Sequence, residues 1–125
     1  MRNPWIYRAP AIGWGFLIFY ACLAPVSNLD PGWELNVSDK LVHFILYFSW
    51  TILLYFASSR GYKRSIKKRK AALYWLIAIA VGGLIELIQD WMGLGRSADL
   101  LDALANTAGA ASGMVASRVL HRILA

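Results

Sequence analysis

Two short stretches hold most of the side chains able to do chemistry. The first, SDKLVHFILYF, carries Asp39, Lys40 and His43. The second, GLIELIQDWMGLGRSADLLDALANTAGAASG at 83–113, carries Glu86, Gln89, Asp90, Arg96, Asp99, Asp102 and Asn106. Imidazole is the side chain that exchanges a proton near neutral pH. Asp39, one helical turn before His43, can orient that ring and hold its proton. His43 and Glu86 are therefore the candidate acid and base, with Asp102 as a third catalytic candidate. Arg96 offers a guanidinium fork suited to an ion pair or to capture of a phosphate or carboxylate. With Asp39, Lys40, Gln89 and Asn106 it forms the candidate binding set. Asp99, in the SAD triplet, suits a helix cap, whereas Asp102 and Asn106 read as too far into the helix to cap it. His43, Glu86 and Asp102 also make a mixed ligand set compatible with zinc or manganese. HExxH and cysteine clusters are both missing, so no metal is assigned, and no cofactor is identified. The sequence has no nucleophile elbow or phosphate loop.

These charges lie in an apolar setting. The chain of 125 residues is 58% hydrophobic and 16% charged, with six Trp and six Tyr. A soluble domain of this size cannot bury so much apolar surface, so the class is integral membrane. One cysteine, Cys22, excludes an intramolecular disulfide. Apolar runs at about 11–24, 41–57, 71–92 and 100–120 predict four spans in one domain, 1–125, with a basic loop at 58–70. The first run reads as a retained span. Cys22-Leu23-Ala24 before Pro25 is a poor leader cleavage site, and FYAC is a poor lipobox.

Arg2, Arg8, seven basic residues within 60–70, Arg118 and Arg122 all fall on one side of such a bundle. Only Lys40 and Arg96 fall on the other. The positive-inside rule then puts both termini in the cytoplasm. It also makes 60–70 a topology signal and anionic-lipid contact rather than a nucleic-acid site. All seven acidic residues fall toward the outer side, Asp30 and Glu34 with Asp39 in the first outer loop. The fold class expected is thus all-α: a four-helix transmembrane bundle, up-down-up-down, with both termini cytoplasmic.

Helical periodicity puts the polar residues on common faces. Asp39, His43, Tyr47 and Trp50 share an arc of about 80°, and Asp99, Asp102, Asn106, Gly109 and Gly113 another of about 80°. Gly82, Glu86, Gln89 and Asp90 share about 100°. Glu86 lies roughly 9 Å, Asn106 roughly 10 Å and His43 roughly 6 Å from the outer ends of their spans. The stripes can meet in one outer pocket. Ala105, Gly109 and Gly113 form a small-residue ridge for close helix approach.

The same residues carry a resemblance. DKLVH at 39–43, ELIQ at 86–89, Arg96, Asp102 and NTAG at 106–109 resemble, in order and spacing, the motifs of the VanZ-like family. The likeness runs over about 39–113 and includes every anchor: Asp39, Lys40, His43, Glu86, Gln89, Arg96, Asp102, Asn106 and Gly109. Asp90 and Asp99 are additions to it. The resemblance implies a bacterial cell-envelope protein, multi-pass in the cytoplasmic membrane. The family's namesake is associated with resistance to the glycopeptide teicoplanin by a mechanism that is not established. The expected partners are membrane lipids and a lipid-linked cell-wall intermediate or lipoglycopeptide. An oligomer is allowed, and no nucleic acid is expected. Three roles compete: an envelope enzyme, a binding or masking protein, and a proton-coupled transporter or flippase subunit. The expected role is recognition or modification of an outer-leaflet amphiphile, with catalysis left open.

Overall fold

The computed structural model describes residues 3–23, 36–93 and 100–124, and over 36–39 only the backbone. Those residues form four helices: α1 (Trp5–Leu23), α2 (Asn36–Ser58), α3 (Lys68–Met92) and α4 (Leu100–Leu124). They are 88% helical, and no strand is present among them. Consecutive helices run antiparallel, as cross-helix contacts show. Tyr7 meets Phe56 near one end of the bundle, and Gln89 meets Cys22 near the other.

The helices outrun the apolar runs that announce them. α1 begins at Trp5 because Asn3 caps it: the Asn3 side-chain oxygen accepts from the Trp5 amide at 3.1 Å. Pro4 follows at the first helical position, where no amide is needed. Pro10 lies inside α1 near its start and does not end it. α2 begins at Asn36, so Asp39 belongs to its first turn and not to the preceding loop. α3 ends where Gly93 takes the left-handed conformation, φ 61° and ψ 33°, a common stop for a helix.

The packing is that of a protein in lipid. Phe16, Tyr20, Leu87, Trp91, Leu100 and Ile123 are exposed, while His43, Glu86, Gln89, Asp102 and Asn106 are buried. In water this arrangement would be inverted. Three helices are long and apolar enough to cross a membrane: α1, the 40–58 part of α2, and α3. α4, expected as a fourth span, is not among them. It exposes Leu101, Leu104, Val115 and Val119 but turns Asp102, Asn106, Gly109, Gly113 and Ser117 inward. Small and polar residues lower its average, though its outward face is as greasy as its neighbours'.

The most extensive interface joins α2 and α4. A Cβ on Gly109 would sit 2.3 Å from the Phe44 carbonyl oxygen. One on Gly113 would sit 2.1 Å from Thr51 Oγ1 and 2.3 Å from the Phe48 oxygen. Only glycine permits that approach, and in lipid such close packing drives helix association. Tryptophans add hydrogen bonds across helices. Trp14 donates to the Leu46 carbonyl at 2.9 Å, Trp50 to Ala11 at 3.1 Å, and Trp75 to Thr107 at 3.3 Å. An indole N–H inside hydrocarbon needs such a partner.

At the basic end, Arg60, Gly61 and Tyr62 all have positive φ, at 51°, 70° and 65°. For the two non-glycine residues this costs roughly 1–2 kcal/mol each. The turn is held by the Tyr62 amide donating to Ser59 Oγ at 3.0 Å and by the Arg64 amide donating to the Ser59 carbonyl at 2.8 Å. Tyr62 is buried against Tyr55, Phe56 and His121, with ring centroids 5.8, 5.7 and 6.3 Å away.

Candidate functional site

The site lies toward the end of the bundle opposite that turn and is built by three helices. α2 contributes Lys40 and His43, one turn apart on one face. α3 contributes Glu86, and α4 contributes Asp102 and Asn106, also one turn apart. The close α2–α4 seam brings their side chains together.

His43 is 2% exposed. Its Nδ1 lies 2.9 Å from Asn106 Oδ1. An amide oxygen only accepts, so Nδ1 carries the hydrogen of that bond. The other nitrogen, Nε2, points toward Asp102 Oδ2 at 3.7 Å. Asp102 Oδ1 in turn lies 3.4 Å from Lys40 Nζ. Asp102 falls in the first turn of α4, where the helix dipole also favours negative charge. Its placement is thus closer to the helix start than the sequence pattern suggests. One donor atom from each of His43, Glu86 and Asp102 falls within 4.8 Å of the others, and all three residues are buried.

Gly82 makes room for this centre. A Cβ there would meet Asn106 Nδ2 at 3.0 Å and the Tyr47 hydroxyl at 3.4 Å. Tyr47 is fully buried, and its hydroxyl has no hydrogen-bond partner among the described residues. A buried hydroxyl without a partner in an apolar medium is expensive. It marks the wall between His43 and Glu86 as a place where a polar atom would be welcome. Helical periodicity puts Tyr47 on this face but does not disclose that role.

Other candidates fall elsewhere. The Gln89 side-chain amide donates to the Cys22 carbonyl near the end of α1. It satisfies one of the last carbonyls that a helix leaves open, and it closes α1 onto α3. Asp90, expected on the inner face of its span, is exposed and outside the centre. The side chain of Asp39, and Arg96 and Asp99 altogether, lie outside the described residues. Among the described residues, Asn106 is the hydrogen-bond partner that orients His43. At the far end, His121 packs on Tyr55 and Tyr62 at 6.0 and 6.3 Å. Neither its flanking residues nor its spacing forms a motif, so nothing in the sequence singles it out.

Chemically, the centre holds an imidazole of fixed orientation whose second nitrogen faces Asp102, itself near an ammonium, with Glu86 in the same buried cluster. That arrangement can shuttle a proton. It also offers one nitrogen and two oxygens to a cation. The 3.7 Å between His43 and Asp102 is close to the roughly 3.4 Å edge of a tetrahedron with zinc-like bond lengths.

The chain matches the VanZ/LLP1 family model over residues 7–121. Comparison with curated proteins gives no match, and neither does comparison with solved structures. The family match covers nearly the whole chain, which therefore belongs to the VanZ/LLP1 family; with its apolar helices, it is a membrane protein.

Proposed function

From that membership we propose that the protein is a bacterial cell-envelope component, multi-pass in the cytoplasmic membrane. It recognises or modifies a lipid-linked or glycopeptide-like amphiphile through the polar centre at its acidic end. Charge segregation supports an orientation with both termini and the basic loop in the cytoplasm. The centre then opens toward the outer leaflet, where cell-wall precursors and glycopeptides meet the membrane. The observation that carries the reading is the pairing of His43 Nδ1 with Asn106 at 2.9 Å, which leaves Nε2 facing Asp102, with Glu86 in the same buried cluster. Buried ionisable groups within a membrane bundle, meeting around an oriented imidazole, are arranged for a ligand or a proton. His43 and Glu86 act as acid and base, Asp102 steadies the imidazolium, and Lys40 and Arg96 hold an anionic group.

Susceptibility of a glycopeptide-sensitive host to teicoplanin tests this. The wild type protects, whereas His43→Gln and Glu86→Gln lose protection at unchanged membrane level and melting temperature. Equal protection by all three proteins would remove the centre from the function.

A second reading has its own observation. The His43–Glu86–Asp102 set suits a divalent cation, with Asn106 fixing the imidazole as outer partners of metal ligands do. The Lys40 ammonium at 3.4 Å from Asp102 opposes it. Protein loaded with zinc or manganese and then gel-filtered decides between them. Stoichiometric metal lost in His43→Gln supports the cation, and metal-free protein rejects it. Close packing in one seam counts against the transporter reading. Gly113 meets Thr51 and Phe48 too closely for water, which closes the α2–α4 seam below the centre.

A further inference from the structure

A second polar region, at the opposite end, has no part in that reading. A cavity of about 450 Å³ lies between the start of α1, the turn after α2 and the start of α3. Arg8, Arg60, Arg64 and Lys70 line it, together with Ser58 and Tyr74, whose hydroxyls are 2.8 Å apart. An apolar groove of about 270 Å³ continues from it between α1 and α2, sharing Ala11, Ile12 and Leu54. The groove runs past Gly15, Phe16 and Trp50.

We infer that this end binds an anionic phospholipid of the surrounding bilayer, with its phosphate in the cationic cavity and an acyl chain in the α1–α2 groove.

Three observations carry it. First, among the described residues no salt bridge neutralises these cations. None of the acidic residues lies in 1–29, 40–85 or 103–125. Second, α3 starts with Lys68, Arg69 and Lys70, has no acid in its first turn, and has no side-chain cap at Lys67. A helix start favours anions, so a run of cations there concentrates positive potential that calls for an external anion. Third, the chain holds Arg60 at φ 51°, in a turn pinned by buried Ser59 and Tyr62. Strain maintained by its surroundings points to a role for the residue it displays. The cavity size falls within the roughly 300–1,000 Å³ typical of small-molecule sites. The groove opens toward exposed Phe16 and Phe19, so an acyl chain reaches it from the bilayer.

The test is native mass spectrometry of the full chain in detergent. It is titrated with phosphatidylglycerol, with phosphatidylcholine of the same chains, or with inorganic phosphate. The expected result is a saturable phosphatidylglycerol adduct, weaker by about tenfold or more in Arg60→Gln/Arg64→Gln, where charge-assisted bonds to phosphate are removed. Lys63→Gln/Arg122→Gln removes the same charge outside this cavity and leaves the adduct intact. Gly15→Leu, which fills the groove, weakens phosphatidylglycerol binding without removing a cation. Equal loss in both charge variants would show diffuse surface attraction and overturn the site. So would equal binding of the two lipids, or displacement of the adduct by millimolar inorganic phosphate, which would mean a site for a free anion. Melting temperature in detergent confirms that each variant is folded.

Discussion

At the scale of single residues, the centre is defined by how its side chains pair: His43 Nδ1 donates to Asn106 Oδ1 at 2.9 Å, and Asp102 lies between His43 Nε2 and Lys40 Nζ. His43, Glu86, Asp102 and Asn106 were legible because charged and amide side chains inside apolar runs are rare and costly. Their partners were not, because periodicity gives a face and a depth but no rotamer. Spacing points to Asp39 as a partner of His43, and Asn106, which spacing does not single out, is the residue seen at 2.9 Å; the Asp39 side chain lies outside the described residues. Asn106→Leu should therefore leave the buried Nδ1–H unpaired, lowering unfolding free energy by about 1–3 kcal/mol in detergent. Tyr62 makes a separate prediction. Burial raises its phenol above the ordinary value of 10.0, while Ser117 pulls in the other direction. The unfolded chain then releases this proton at lower pH than the folded one. The stabilising contribution is complete below about pH 10 and is lost as pH rises through the folded value. Tyr62→Phe should flatten the fall in melting temperature above pH 10, and an unchanged slope would assign that fall to other groups.

Between helices, small residues decide the geometry. Gly109 and Gly113 were readable as a ridge, although which helix they met was not. The structure sets both against backbone carbonyls of α2, atoms that cannot swing aside. Gly109→Ala and Gly113→Ala should each destabilise by at least about 1–3 kcal/mol, the range for overpacking. A Cβ at Gly13 or Gly83 would meet nothing within 4 Å, so alanine there should be neutral or stabilise by up to about 1 kcal/mol. Equilibrium unfolding of the four variants checks the contrast, and equal effects would refute the packing described. The element hardest to read was α4. Its polar inner face depresses its mean hydropathy, yet the outward Leu101, Leu104, Val115 and Val119 face where lipid should be. Averages over a span hide that division, and the pattern around the helix reveals it.

For the whole molecule, charge divides the bundle into a basic end and an acidic end. That division was legible from the order of residues alone, as was the four-helix fold. A green fluorescent protein fused at Lys67 should fluoresce, and alkaline phosphatase fused there should be inactive; the reverse pattern would turn the proposed orientation around. The central claim is that the buried polar centre exists for a ligand or a proton and not to hold the helices together. Helix contact is already supplied by the glycine seam and the tryptophan hydrogen bonds. The most direct test is the unfolding free energy of Lys40→Met/Glu86→Met/Asp102→Leu, which replaces the two buried carboxylates and the half-buried ammonium beside them with apolar side chains. Exchanging a whole buried charge set in this way is often neutral or stabilising by about 1–4 kcal/mol. The expected variant is at least as stable as the wild type, and a loss of more than about 2 kcal/mol would contradict the claim, making the centre structural.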